Sequence, residues 1–171
     1  MKFVEPHAGR EVIYRPDHYN GQLQVHDTGL ASLVGTVSID PEGKLALEES
    51  RHPITRMGLK RMLEMLIDQW LKEAKVADTT VNFYPNAKIG DLACKVIEVS
   101  HGGKHPDVVY QMTRLYIDAS TNLPVRVQNY DFPSRKGDSP VLVEDYFYMG
   151  MRTNVGYTDT EFDTRNPKYN Y

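Results

Sequence analysis

The sequence predicts an α+β domain: an open antiparallel sheet with one long helix packed across it. Three observations lead there. Of the aromatic residues 11 are Tyr, against 5 Phe and 1 Trp, and Tyr suits pleated, half-wet surfaces. One stretch, residues 56–75, repeats apolar side chains at helical spacing. Four alternating apolar runs follow it, joined by links so short that sequential antiparallel pairing is their default.

Taken in order, the first part of the chain reads as short strands at 1–4, 11–14, 22–26, 35–39 and 45–47, separated by Gly-, Pro-, Asp- and Asn-rich turns. The tightest turn is Asp40-Pro41-Glu42-Gly43, where Pro presets the first turn dihedral and Gly accepts positive φ. His52-Pro53-Ile54-Thr55 then supplies a Pro stop and Thr55 as a candidate N-cap. In the helix, Leu59, Leu63, Leu66, Trp70 and Ala74 recur at three- and four-residue steps, with Met62, Ile67 and Leu71 widening the stripe. The stretch 76–90 carries a weaker pattern. Strands follow at 92–100, 108–118, 124–130 and 141–149, linked by Gly102-Gly103, by 119–122 and by 133–140. Both faces of these strands carry apolar or aromatic groups, so the helix is expected on one face and a second layer or an apolar pocket on the other. The Asn-, Asp- and Tyr-rich tail, 152–171, reads as ordered coil.

Composition excludes several classes. The chain has 171 residues and a net charge of −3, from 20 Lys and Arg against 23 Asp and Glu, which provides no pull toward nucleic acid. Its 12 Gly and 10 Pro are ordinary for a globular domain. The charge-free stretch 30–39 falls well short of the ~20 apolar residues of a membrane helix. Cys94 is the one cysteine, so no internal disulfide and no multi-Cys zinc motif is possible. It lies in an alternating apolar stretch and reads as a buried, inert thiol.

Motifs for chemistry are sparse. His101-Gly-Gly-Lys-His105 spaces two imidazoles four apart, but two glycines and Pro106 forbid a helix there, so the segment reads as a solvated hairpin loop rather than a metal site. The seven serines offer no G-x-S-x-G elbow. Glu48/Glu49 and Glu144/Asp145 are sequence neighbours, which on a strand point to opposite faces and cannot share a proton. The residues name no catalytic group, metal or cofactor. The Met and Trp stripe of the helix reads either as plain core or, because Met adapts to varied apolar partners, as the wall of a lipid-sized cavity. Met62, Leu63, Leu66 and Trp70 are the candidate ligand-binding residues.

Several segments together are distinctive: Gly9-Arg-Glu-Val-Ile-Tyr14, Asp40-Pro-Glu-Gly43, Arg51-His-Pro-Ile-Thr55 with Gly58, and Asp118 followed by Leu123-Pro-Val-Arg126. To these add Asn154-Val-Gly-Tyr-Thr-Asp159, Glu161-Phe-Asp163 and Asn166-Pro-Lys-Tyr169. The series resembles an uncharacterised bacterial family, the domain of unknown function fifteen seventy-one. That family is similar in turn to the periplasmic LolA-like and LolB-like lipoprotein carriers. The resemblance implies a single LolA-like domain over 1–171, an open half-barrel with an apolar cavity, and a periplasmic or otherwise extracytoplasmic setting. Relatives begin earlier, so the chain is expected to lack N-terminal strands and a signal sequence. The functional arginine of the carriers falls upstream of Met1, and no residue here inherits its role.

The expected function is therefore that of a non-enzymatic extracytoplasmic binding protein for a lipid, an acyl chain or a lipidated protein. The alternative is a structural or interaction module of the bacterial cell envelope, with a self-filled core and an envelope protein as partner.

Overall fold

The structure, a computed structural model, describes residues 1–48, 50–135 and 137–171. Glu49, one half of the Glu48/Glu49 pair, lies outside the described residues. The chain divides into two compact units, Met1–Gly58 with Thr153–Tyr171, and Leu59–Arg152. The architecture is mixed α and β, with two antiparallel sheets, few helices and no closed barrel.

In the first unit, β1 (Glu11–Ile13), β2 (Leu23–His26) and β3 (Val37–Ile39) form an antiparallel sheet in that order. Val12, Ile13 and Leu23 are its buried apolar residues. The strand expected at 1–4 is reduced to a single bridge from Lys2 to Glu11. The strand expected at 45–47 is instead a helical turn, α1 (Lys44–Leu47). Leu45 and Leu47 are both exposed there, so no sheet offers the buried face that a strand would need.

The tail is ordered by local capping. Thr158 and Glu161 form a reciprocal capping box, with the Thr158 N–H donating to Glu161 Oε2 at 2.7 Å. Asn166 is buried; its amide donates to the Thr160 carbonyl and its Oδ1 accepts from the Lys168 N–H. The segment is tied at two points to the three-stranded sheet and at a third to the 3₁₀ turn, Tyr19–Gly21, between β1 and β2. Asn170 N–H donates to Glu11 Oε2 at 2.7 Å, the Tyr171 hydroxyl donates to the Gln24 carbonyl, and Thr164 N–H donates to the Tyr19 hydroxyl. These contacts account for the tail motifs as folding devices.

The second unit consists of α2 (Leu59–Glu73) and five strands: β4 (Thr79–Ile89), β5 (Leu92–His101), β6 (Met112–Asp118), β7 (Pro124–Asp131) and β8 (Val141–Phe147). They pair antiparallel in chain order, as the short links predict. The helix is shorter than the expected 56–75. Ile54–Arg56 form a 3₁₀ turn and Gly58 sits at φ +100°, so the helix begins after them. Thr55 is thus not its N-cap; its hydroxyl donates to Glu42.

Strand β4 departs from the sequence reading, which leaves 76–90 without an element. Pro85, Asn82 and Asn86 interrupt its alternation. The fold tolerates them because β4 is an edge strand and its register with β5 shifts between Tyr84 and Ala87, so Pro85 sits at a bulge. The start of β6 also moves, from 108 to Met112. Val108 N–H closes a turn onto the His105 carbonyl instead of entering the ladder.

Candidate ligand-binding site

The strand registers sort the five-stranded sheet into two faces. Thr79, Val81 and Phe83 of β4 pair with His101, Val99 and Ile97 of β5, and the same face continues through Thr113 and Leu115 to Asn129 and Val127. This face carries α2. At the start of the helix the Tyr148 hydroxyl donates to Met62 Sδ at 3.7 Å. At its end Glu73 Oε2 lies 3.3 Å from His101 Nε2. Tyr148 belongs to the end of the sheet where its N–H meets the Val125 carbonyl, whereas His101 belongs to the opposite end. The helix therefore crosses the sheet on a diagonal. Fifteen residues at ~1.5 Å span roughly 22 Å, and five strands ~4.8 Å apart span roughly 19 Å, so one helix reaches from edge to edge.

The predicted residues Met62, Leu63, Leu66 and Trp70 lie on the half-buried side of α2. Ile67 and Leu71, expected to widen that stripe, are exposed, and so is Ala74. The buried position at the end of the helix is Glu73. Three residues on from Trp70, it continues the stripe, and a charged residue at that phase was the available signal that a partner waits on the sheet. Gln69 braces it, donating from Nε2 both to Glu73 Oε1 at 2.8 Å and to the Asp107 carbonyl. Trp70 Nε1 is buried with no hydrogen-bond partner among the described residues.

A diagonal helix leaves corners of its face uncovered. On β4, Val81 and Phe83 point to the helix-bearing side yet remain 63% and 59% exposed. Their cross-strand neighbour Val99 is buried. The uncovered corner is thus apolar and adjoins the core.

His101 is not in a solvated loop as expected. It ends β5, buried, with Nδ1 3.1 Å from Thr79 Oγ1 and Nε2 toward Glu73. His105 is solvent-facing, and its Nδ1 accepts from the Asp107 N–H. The two imidazoles have separate partners, and no group of three or more His, Cys, Asp or Glu fit for a metal occurs among the described residues. Cys94 is buried as expected, and burial pushes its thiol pKa up.

The opposite face was expected to be apolar; it carries instead a ladder of charged, amide and phenol groups. Glu98 on β5 is buried, and its two oxygens accept from Arg114 Nε at 2.6 Å and from Asn82 Nδ2 and the Tyr84 hydroxyl at 3.2 Å each. Burial raises its carboxyl pKa, but these donors outweigh that and hold it below the usual range. Arg126 grips Asp145 through Nε at 2.7 Å and through Nη2, which keeps that carboxyl low as well. Gln128 lies between the two pairs, accepting from the Tyr116 and Tyr130 hydroxyls and donating to Asp145. Glu144 points the other way, to Asn129 Nδ2 at 2.7 Å, so Glu144 and Asp145 serve opposite faces as the strand period requires. Sequence reading missed this ladder because its members come from five different strands. What the sequence carries is polar alternation within single strands, Arg114 and Tyr116 on β6 and Arg126, Gln128 and Tyr130 on β7, and not their meeting across strands.

Fold and site together define a mixed α and β protein with two antiparallel sheets, one of them carrying α2 on one face and a polar ladder on the other. The chain belongs to the family described as Protein of unknown function (DUF1571), whose model matches residues 1–171. No curated protein and no solved structure matches it.

Proposed function

We propose that this protein is a non-enzymatic, extracytoplasmic binding protein that holds an acyl chain or a similar apolar segment of a lipidated partner against α2 and the adjoining corner of the sheet. The proposed architecture is the open half-barrel of LolA-like carriers, with Met62, Leu63, Leu66 and Trp70 as one wall and Val81 and Phe83 as the other. The observation that carries the reading is the exposure of Val81 and Phe83 on the same sheet face as the helix. Apolar side chains beside a core, left uncovered by a helix too narrow for its sheet, mark a surface with a use.

The energetics allow it without catalysis. Burying a 14-carbon chain at about 0.8 kcal/mol per CH₂ yields roughly 11 kcal/mol before association costs. That gross figure leaves room for useful affinity after ordering and desolvation. Lipid extraction and native mass spectrometry of the purified protein test the reading, together with uptake of a fluorescent fatty acid. Co-purifying lipid or saturable uptake supports it. A ligand-free protein that also takes up no fatty acid returns the chain to the alternative, an envelope interaction module with a self-filled core.

A further inference from the structure

We propose that the groove on the sheet face opposite α2 is a second, separate binding site, and that its ligand is a neutral sugar ring. The groove is open to solvent and has a volume of about 590 Å³, floored by Val96, Glu98, Arg114 and Tyr116 and rimmed by Phe83, Tyr84 and Pro85 of β4. That volume falls within the ~300–1,000 Å³ of small-molecule sites.

The polar floor is preorganised. Glu98 is only 7% exposed and its carboxylate is held by three side-chain donors. Arg114 uses Nε for Glu98 and Nη1 for the Tyr130 hydroxyl, and its guanidinium also lies over the Tyr130 ring at 5.4 Å. A fixed carboxylate beside a fixed guanidinium presents an acceptor and a donor side by side, which matches a pair of adjacent hydroxyls, each able to donate and accept.

Charge decides against ionic ligands. Glu98 is matched by Arg114 and Asp145 by Arg126; among the described residues, the exposed Lys88 is the one groove residue that adds a charge without an ion pair. An anion entering the floor meets the Glu98 carboxylate and a cation meets Arg114, so a neutral ligand pays the least electrostatic cost. The aromatic wall supplies the other half of sugar recognition. The Tyr84 hydroxyl is anchored on Glu98 while its side chain stays accessible, at 44% exposure. A ring face of negative potential suits the C–H side of a pyranose. An extended peptide fits less well, because strand addition along β4 is interrupted at Pro85, which has no N–H, and at the neighbouring register shift.

The experiment is saturation-transfer NMR on the full chain with methyl α-D-glucopyranoside, cellobiose and N,N′-diacetylchitobiose, and with glucuronate and glucosamine as charged controls. Transfer to the ring C–H protons of at least one neutral sugar is expected. Its affinity should fall about tenfold, the loss of one good contact, in Tyr84→Ala and in Arg114→Gln. Leu71→Lys, on the exposed side of α2 and outside the groove, should leave it unchanged. Circular dichroism checks that each variant is folded; if Arg114→Gln is not, the accessible Tyr84→Ala decides. The proposal is overturned by no transfer from all three neutral sugars, by equal affinity in Tyr84→Ala, or by preference for either charged control. Fatty-acid uptake is measured on the same Tyr84→Ala protein. Retained uptake with lost sugar binding assigns the two ligands to different faces, and either reading then fails or stands without the other. Loss of both together overturns the claim of a separate site.

Discussion

Glu73 Oε2 and His101 Nε2 lie 3.3 Å apart with side chains 4% and 1% exposed, and this pair fastens the end of α2 to the sheet. Thr79 completes the junction, its hydroxyl donating to the Glu73 carbonyl at 2.7 Å and lying 3.1 Å from His101 Nδ1. Removing one partner strands a buried polar group, whereas replacing both with apolar residues removes the debt entirely. Glu73→Leu should cost about 3 kcal/mol, and Glu73→Leu combined with His101→Leu less than the single change. Urea midpoints of the two variants and of His101→Leu alone, read as a double-mutant cycle, measure the coupling; additive losses would refute it.

Trp70 offers a sharper test of what α2 covers. Its indole N–H is buried and unpartnered among the described residues, so Trp70→Phe should leave the melting temperature unchanged or raise it slightly, by removing a desolvated donor. Trp70→Ala should cost about 3–5 kcal/mol if the ring fills a closed core. A smaller cost with lost fatty-acid uptake is the outcome the binding reading expects.

Phe83 separates function from folding. Since it is largely exposed, Phe83→Lys should change stability by no more than about 0.5 kcal/mol while lowering fatty-acid uptake severalfold. Unchanged uptake in a folded Phe83→Lys protein removes the β4 corner from the proposed wall.

The tail of the first unit should loosen in acid. Burial raises the Glu11 carboxyl pKa, yet the Asn170 N–H and Lys2 outweigh that and hold it below the usual value. A carboxylate with a depressed folded pKa contributes stability that is complete above its unfolded pKa and is lost as pH falls through the folded one. Hydrogen exchange at the Asn170 amide, corrected for intrinsic rates, should therefore lose protection as pH drops below the ordinary carboxylate range. In Glu11→Gln that pH dependence should disappear.

Cys94 should be inert in the native protein. Buried and with a raised thiol pKa, it lacks the accessible thiolate that alkylation requires. Iodoacetamide is expected to label it only as the protein unfolds, at a rate that follows denaturant; rapid labelling of folded protein would count against the burial.

Much of the second unit is legible in the sequence. The strand runs of β5, β7 and β8, their sequential pairing and the existence of α2 follow from periodicity and link length, which act locally and leave their mark in adjacent residues. The burial of Cys94 and the opposed directions of Glu144 and Asp145 follow from the strand period alone. Strand β4 escaped because its alternation is broken by Pro85 and two asparagines, and an edge with a bulge forgives what a central strand would not.

What the amino-acid sequence determined by itself is the family, the α+β class and the meander. It also determined that α2 has one side made for burial. Only the tertiary structure decided which residue closes that side, Glu73 in place of Ala74, because a buried carboxylate is tolerable only once β5 delivers His101 to it. Tertiary structure likewise assembled Glu98, Arg114, Gln128 and Asp145 into one ladder. Their spacing along the chain carries no hint of that meeting. Hydrogen bonds act over about 3 Å, and the proximity they need is created by strand register.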